Sequence, residues 1–469
     1  MSLHLPHQDS NAFVERRRAL AERLGATRAV IFAGGLRARN YPANTYPYRA
    51  DSHFIYLTGA AIPDAVLLVA PERAELFMQP AADDDALWHG EVPGWEEVAR
   101  RTGVDRVRPL SELGDEVKAA GGTDMIATLP SADPRTRHRQ HLWLGRRWDE
   151  DPSLTDADAV LADAMIALRL THDDSAIEQL RHAAEGTTAA HLAGMAVTKP
   201  GLYEHQVRAA MEGALLARGM CPAYGSIVTV HGEVLHNVEY HHRLGDDDLV
   251  LADVGAEHEG WAGDVTRTWP VSGKFSPTQR ALYDIVLQAQ KEAIDLVRPG
   301  TRYRDVHLHA SLVLARGLVD EGVLSGDPAG LVERGAHALL FPHGVGHLLG
   351  LDVHDMEDLG DRAGYAPGRT RSEQFGLGYL RLDRDLEPGM AVTIEPGLYL
   401  VPAILADEKL CGPFVADGTL NRDALARFAD VRGIRIEDDV LCTADGPVVL
   451  TKDIPKEAAD VEKHVGTDA

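Results

Sequence analysis

Cysteine is scarce. The chain holds three, Cys221, Cys411 and Cys442, scattered through 469 residues and odd in number. A disulfide framework is excluded, and without a Cys-x-x-Cys pair so is a thiolate zinc site; a reducing compartment is expected. Long apolar runs are also missing. No stretch approaches the roughly 18–20 apolar residues of a membrane helix, and Met1-Ser-Leu-His-Leu-Pro-His-Gln-Asp-Ser10 carries no apolar signal core. Positive charge is in deficit: 47 Lys and Arg against 72 Asp and Glu give a net charge of −25. Such a surface repels phosphate backbones, which argues against a nucleic-acid partner. No internal repeat or low-complexity tract is evident. The expectation is a soluble, cytoplasmic protein with no membrane partner.

What is present is apolar residue content of 45%, enough for a large core and more naturally for two domains than one. Residues 13–25 read as a helix stopped by Gly25. Ala29-Val-Ile-Phe-Ala33, Ala65–Ala70 and Ala74–Met78 read as short strands, and Trp95–Arg101 as a helix, an alternation that argues an α/β layer. Tyr46–Gly59 is rich in aromatic and polar groups and reads as a packed domain edge. Arg146–Thr155, charged and containing Pro152, reads as surface loop. Helices follow at Ala157–Leu168, about 175–197 and 203–218; Thr171 or Asp174 is expected to cap the second. The domain boundary is placed at 172.

The stretch His343-Gly-Val-Gly-His347-Leu-Leu-Gly-Leu-Asp-Val-His354-Asp355 packs three His and two Asp around three Gly. Buried imidazoles need partners, and the glycines oppose a stable helix. The zinc-peptidase pattern H-E-x-x-H does not fit, because Gly344 stands where Glu is required. Alone, the stretch reads equally well as a glycine-rich surface loop. Its neighbours carry acids inside strand-like runs. Leu249–Ala256 and Gly260–Val271 flank a turn near His258-Glu259; a hairpin centred there sets Asp253 opposite Asp264, where like charges want a shared proton or a cation. Ala391-Val-Thr-Ile-Glu395 ends an apolar strand on an acid. Gly433-Ile-Arg-Ile-Glu437 puts Arg435 and Glu437 on one face. Each acid singly is explained by a solvated or salt-bridged strand; four acids and a His-rich loop in one domain are not. Asp253, Asp264, His347, Glu395 and Glu437 form an oxygen-rich ligand set suited to Mn²⁺ or similar ions, and to two ions sharing carboxylates roughly 3.5–4 Å apart.

In order and context these five residues resemble the pita-bread metallopeptidases, which include aminopeptidase P, prolidase and methionine aminopeptidase and share their fold with creatinase. The motifs Gly-Asp264-Val-Thr-Arg-Thr, His343–Asp355, Thr-Ile-Glu395-Pro-Gly-Leu-Tyr and Gly-Ile-Arg435-Ile-Glu437-Asp-Asp carry the likeness over roughly 173–455. Tyr46–Gly59 extends it more weakly towards aminopeptidase P, and His354-Asp355 favours the proline-specific branch. The resemblance implies an α/β N-terminal domain over 1–172 and a pita-bread (creatinase/aminopeptidase-like, α+β) catalytic domain over 173–469. It implies Asp253 on one metal, Asp264 and Glu437 bridging both, and His347 and Glu395 on the other. Glu395 would take the proton of an attacking water and help pass it to the leaving proline nitrogen. His354 would polarise the scissile carbonyl, His236 would be a second histidine on the substrate side, and His343 and Arg435 would orient ligands. Two divalent ions, Mn²⁺ first and Zn²⁺ or Co²⁺ as alternatives, are the implied cofactors, and a peptide with proline second the implied substrate. Such a bond has no N–H and a crowded nitrogen, which handicaps peptidases that grip the N–H.

Two features pull apart within that branch. The insertion Ala403–Val431, between Glu395 and Glu437, resembles prolidases, as does Leu380-Arg381-Leu-Asp-Arg384, whose Arg381 would grip a dipeptide's carboxylate. The N-terminal motif points to aminopeptidase P. The reading taken is an Xaa-Pro aminopeptidase, with an Xaa-Pro dipeptidase as the alternative, and a metal-free binding module or a creatinase-like hydrolase as lesser ones. Trp88 resembles a tryptophan lent to a neighbouring subunit's active site, which implies a homodimer or homotetramer.

Overall fold

The structure is a computed structural model that describes residues 3–82, 84–119, 125–150 and 152–467. It divides into two compact units, Met1–Leu170 and Thr171–Ala469. Of the loop expected at Arg146–Thr155, Asp151 lies outside the described residues.

The first unit is a five-stranded sheet in the order Arg106–Pro109, Arg73–Met78, Val66–Ala70, Arg28–Phe32, Ile126–Ala127. The inner pairs are antiparallel and both outer pairs parallel. Val30, Phe32, Val66, Leu68 and Phe77 form its core. The helix Asn11–Leu24 ends at Gly25, whose φ of 60° suits glycine. Tyr46–Gly59 contains the helix Ser52–Thr58, buried throughout and capped by Asp51, whose carboxylate accepts the His53 N–H.

The second unit sets short antiparallel sheets against long helices. Leu249–Asp253 runs between Ile227–Thr229 and Thr266–Pro270; Asp438–Thr443 runs between Ala391–Ile394 and Gly446–Val449. The helices Asp174–Val197 and Glu204–Leu216 pack together, as do Pro277–Asp295 and Tyr303–Asp320. The first of these is capped by Asp173, not by Thr171 or Asp174: the Asp173 carboxylate reaches the Ala176 N–H three residues on.

The hairpin register departs from expectation. His258 pairs with Trp261 and Asp253 with Thr266, not with Asp264. The two-residue turn is Glu259-Gly260, with φ of 50° and 86°. Positive φ at both central positions needs glycine at one of them, so Gly260 draws the turn one position later. The slip of two residues preserves side-chain parity. Asp264 falls opposite Gly255 in this register and stays on the same face as Asp253, as its diagonal neighbour.

Candidate metal centre and active site

Strand ends and the glycine-rich loop converge on a cavity of about 500 Å³. Every sequence-predicted site residue lines it: His236, Asp253, Asp264, His343, His347, His354, Arg381, Glu395, Arg435 and Glu437.

His347 is fixed by its own backbone. Its Nδ1 donates to the Leu348 carbonyl at 3.0 Å, so the lone pair sits on Nε2, 3.4 Å from Asp264 Oδ2 and 3.5 Å from Glu395 Oε1. Burial lowers its pKa to about 4, leaving a neutral imidazole. Gly346 makes this approach possible: a Cβ there would lie 2.2 Å from the Thr393 carbonyl oxygen.

The acids are equally constrained. The Tyr224 hydroxyl contacts Asp253 Oδ1 at 2.5 Å and Asp264 Oδ1 at 2.7 Å. Gly255 is demanded first by the facing backbone, since a Cβ there would sit 1.7 Å from the Gly263 carbonyl oxygen, and only then by the Tyr224 ring, whose Cε1 would lie 3.1 Å away. Asp264 is held from behind, its N–H donating to the Asp439 carboxylate at 3.1 Å. Glu437 Oε2 accepts from Thr266 Oγ1 at 2.7 Å. Arg435 ties the group together: Nη2 to Asp253 Oδ2 at 2.7 Å, Nε to Thr266 Oγ1 at 2.8 Å and Nη1 to the Tyr399 hydroxyl at 3.1 Å. His343 donates from Nδ1 to the Gly344 carbonyl and accepts at Nε2 from Tyr399 at 2.9 Å. Burial lowers its pKa to about 3.

Burial raises the pKa of Asp264, Glu395 and Glu437 well above the carboxylate range, with Asp253 adding to the rise in Asp264, Glu437 in Glu395, and Asp264 in Glu437. Such acids hold protons until a cation replaces them. Asp264, His347 and Glu437 each offer one ligand atom within 4.8 Å of the other two. A bare imidazole nitrogen beside crowded carboxylates is a donor set that fits a divalent ion.

Outside this group, the His354 ring centroid lies 4.2 Å from that of His347. His354 Nδ1 meets Glu357 Oε2 at 2.8 Å, and Glu357 also pairs with Arg381. His236 is a solvent-exposed side chain on the cavity wall, its pKa lowered first by desolvation and then by Arg435. Arg384 faces elsewhere, donating to the Arg362 and Ala363 carbonyls. Sequence reasoning missed Tyr224, Glu357 and Asp439. Tyr224 sits in Pro-Ala-Tyr-Gly, without a pattern; Glu357 follows the His354-Asp355 motif closely and was open to notice.

Fold and site together define a metallopeptidase, a hydrolase of peptide bonds, built from an N-terminal α/β domain and a C-terminal pita-bread domain. The chain belongs to metallopeptidase family M24, which it matches over residues 178–444, while residues 13–127 match the aminopeptidase P N-terminal domain. It is 33% identical to the Xaa-Pro aminopeptidase of Escherichia coli K12, with 96% of each chain covered. It is 29% identical to the Xaa-Pro dipeptidase of Homo sapiens, covering 96% of this chain and 92% of that one. Among solved structures, Pseudomonas aeruginosa aminopeptidase PepP superposes with a TM-score of 0.79 at 30% identity, with 99% of both chains covered. Proline aminopeptidase P II from Yersinia pestis gives 0.79 at 32% identity, covering 97% of this chain and 99% of that one.

Proposed function

We propose that this chain is an Xaa-Pro aminopeptidase, releasing the first residue of peptides whose second residue is proline. The observation that carries the reading is one cavity lined by all five expected ligands together with His236, His343 and His354. The Escherichia coli relative of that name, matched along nearly its whole length, supports it. The domains of the proposal are 1–172 and 173–469.

Asp253, Asp264, His347, Glu395 and Glu437 would hold two divalent ions, Mn²⁺ before Zn²⁺ or Co²⁺, because the donors are four carboxylates and one imidazole. The ions would supply Lewis acidity for attack by water on the scissile carbonyl. Glu395 takes the water's proton on a carboxylate oxygen and delivers it to the proline nitrogen. His354 faces the carbonyl oxygen with Nε2; the Glu357 carboxylate accepts from Nδ1 and orients the ring, whose pKa is held below the usual imidazole value first by His347 and then by burial. His236 lines the substrate side. Arg435 and His343, linked through Tyr399, keep the acids in place. Arg381 lies on the wall where the peptide continues beyond proline.

The Xaa-Pro dipeptidase remains the second reading, supported by the human relative of that name and by a guanidinium in the cavity. Cleavage of Ala-Pro-Ala to Ala and Pro-Ala tests the first reading; cleavage of Ala-Pro alone supports the second. The three free cysteines suit the proposed cytoplasmic location. Trp88, 70% exposed on the short helix Asp85–His89, suits the proposed homodimer or homotetramer.

A further inference from the structure

Glu357 stands where two cavity side chains meet. Its Oε2 accepts from His354 Nδ1 at 2.8 Å, and Oε1 pairs with Arg381 Nη1. The preceding Met356 is held at φ 58°, a conformation unfavourable to any side chain, with its own side chain fully buried. That turn aims Glu357 back over the loop that carries His354. Glu357 is ionised at neutral pH, its pKa held down to about 2 chiefly by the hydrogen bond from His354 and by Arg381.

The cavity wall holds three arginines, Arg371, Arg381 and Arg435, and each has a carboxylate partner: Asp361 at 2.5 Å, Glu357, and Asp253 at 2.7 Å. A peptide carboxylate approaching Arg381 therefore meets a guanidinium already neutralised, and must displace Glu357 to form a bidentate pair.

We propose that Glu357 is a positioning residue that sets substrate length: by compensating Arg381 and orienting His354, it makes the cavity favour peptides that continue past proline over dipeptides that end there in a free carboxylate. The inference rests on the Xaa-Pro reading above and deepens it.

The test uses the full-length, Mn²⁺-loaded enzyme, with metal content checked in every variant, on Ala-Pro, Ala-Pro-amide and Ala-Pro-Ala. Glu357 is 42% exposed, so substitution spares the core. In Glu357→Gln the kcat/KM ratio of Ala-Pro to Ala-Pro-Ala should rise about tenfold, mainly through KM, as a charge-assisted hydrogen bond becomes available to the substrate. The gain should be absent for Ala-Pro-amide, disappear when Arg381→Ala is added, and be reversed by Glu357→Asp, which restores the charge. An unchanged ratio in Glu357→Gln, or an equal gain for the amide, overturns the inference while leaving the Xaa-Pro activity standing. If the unmodified enzyme cleaves none of the three peptides, the Xaa-Pro reading itself fails, and the inference with it.

Discussion

Asp253 and Asp264 are not cross-strand partners, yet one hydroxyl, that of Tyr224, reaches both carboxylates at 2.5 and 2.7 Å. The backbone pairs Asp253 with Thr266. The tyrosine therefore does what register does not: it fixes the spacing between two acids that repel each other. Tyr224→Phe should leave the fold intact and weaken divalent-metal affinity about tenfold, the effect expected of a group that orients ligands. Titration calorimetry with Mn²⁺ checks this; unchanged affinity would mean the hydroxyl is incidental.

Removing a ligand should be far more severe. Asp264→Asn or His347→Ala should abolish stoichiometric metal binding and lower kcat/KM by at least about a thousandfold, given what Lewis-acid and electrostatic stabilisation contribute. Elemental analysis of the purified variants, alongside peptide hydrolysis, reads both effects.

Gly346→Ala should mimic that loss without touching a ligand. The added Cβ would meet the Thr393 carbonyl oxygen at 2.2 Å and the Tyr303 hydroxyl at 2.3 Å, so the loop must move and His347 with it. Reduced metal content and a lowered melting temperature are expected; wild-type metal content would show that the loop tolerates the shift.

Stability should depend on pH in two windows of opposite sign. His191, His307, His337 and His343 have pKa values lowered to about 4, 3, 4 and 3, chiefly by burial. The unfolded chain then binds more protons near pH 4–6, so stability rises with pH up to about 6.5 and levels off. Asp264, Glu395 and Glu437 have raised values, so the folded, metal-free protein keeps protons that the unfolded chain has lost. Their contribution is full below about pH 4 and is lost as pH climbs through the raised values. The difference between melting curves of metal-free and Mn²⁺-loaded protein, taken over one pH series from about 4 upward, isolates the carboxyls from the imidazoles remote from the site. Metal-free protein should lose stability relative to Mn²⁺-loaded protein as pH rises above the ordinary carboxylate range; a difference independent of pH would contradict the crowding of these acids.

Much of this site was legible in the sequence, because its ligands lie in short, dense motifs whose chemistry is hard to explain otherwise. His347, Glu395 and Glu437 each stand at the end of an apolar or glycine-rich run, and that misfit is the signal. What the chain did not reveal depends on distance in sequence. Tyr224 reaches Asp264 across 40 residues and Arg267 reaches Asp438 across 171. Nothing local marks either pair. The hairpin register departs from a symmetric placement of the acids for a local reason: positive φ at Glu259 and Gly260 sets the turn there. The helix cap falls on Asp173, two residues after Thr171 and one before Asp174, because its carboxylate is the one that reaches the Ala176 N–H.

The most direct test of the account is hydrolysis of Ala-Pro-Ala by the enzyme stripped of metal and then reloaded with Mn²⁺. The account predicts no turnover when stripped, and release of Ala and Pro-Ala when reloaded. Cleavage that ignores the metal, or none with any divalent ion, would contradict it.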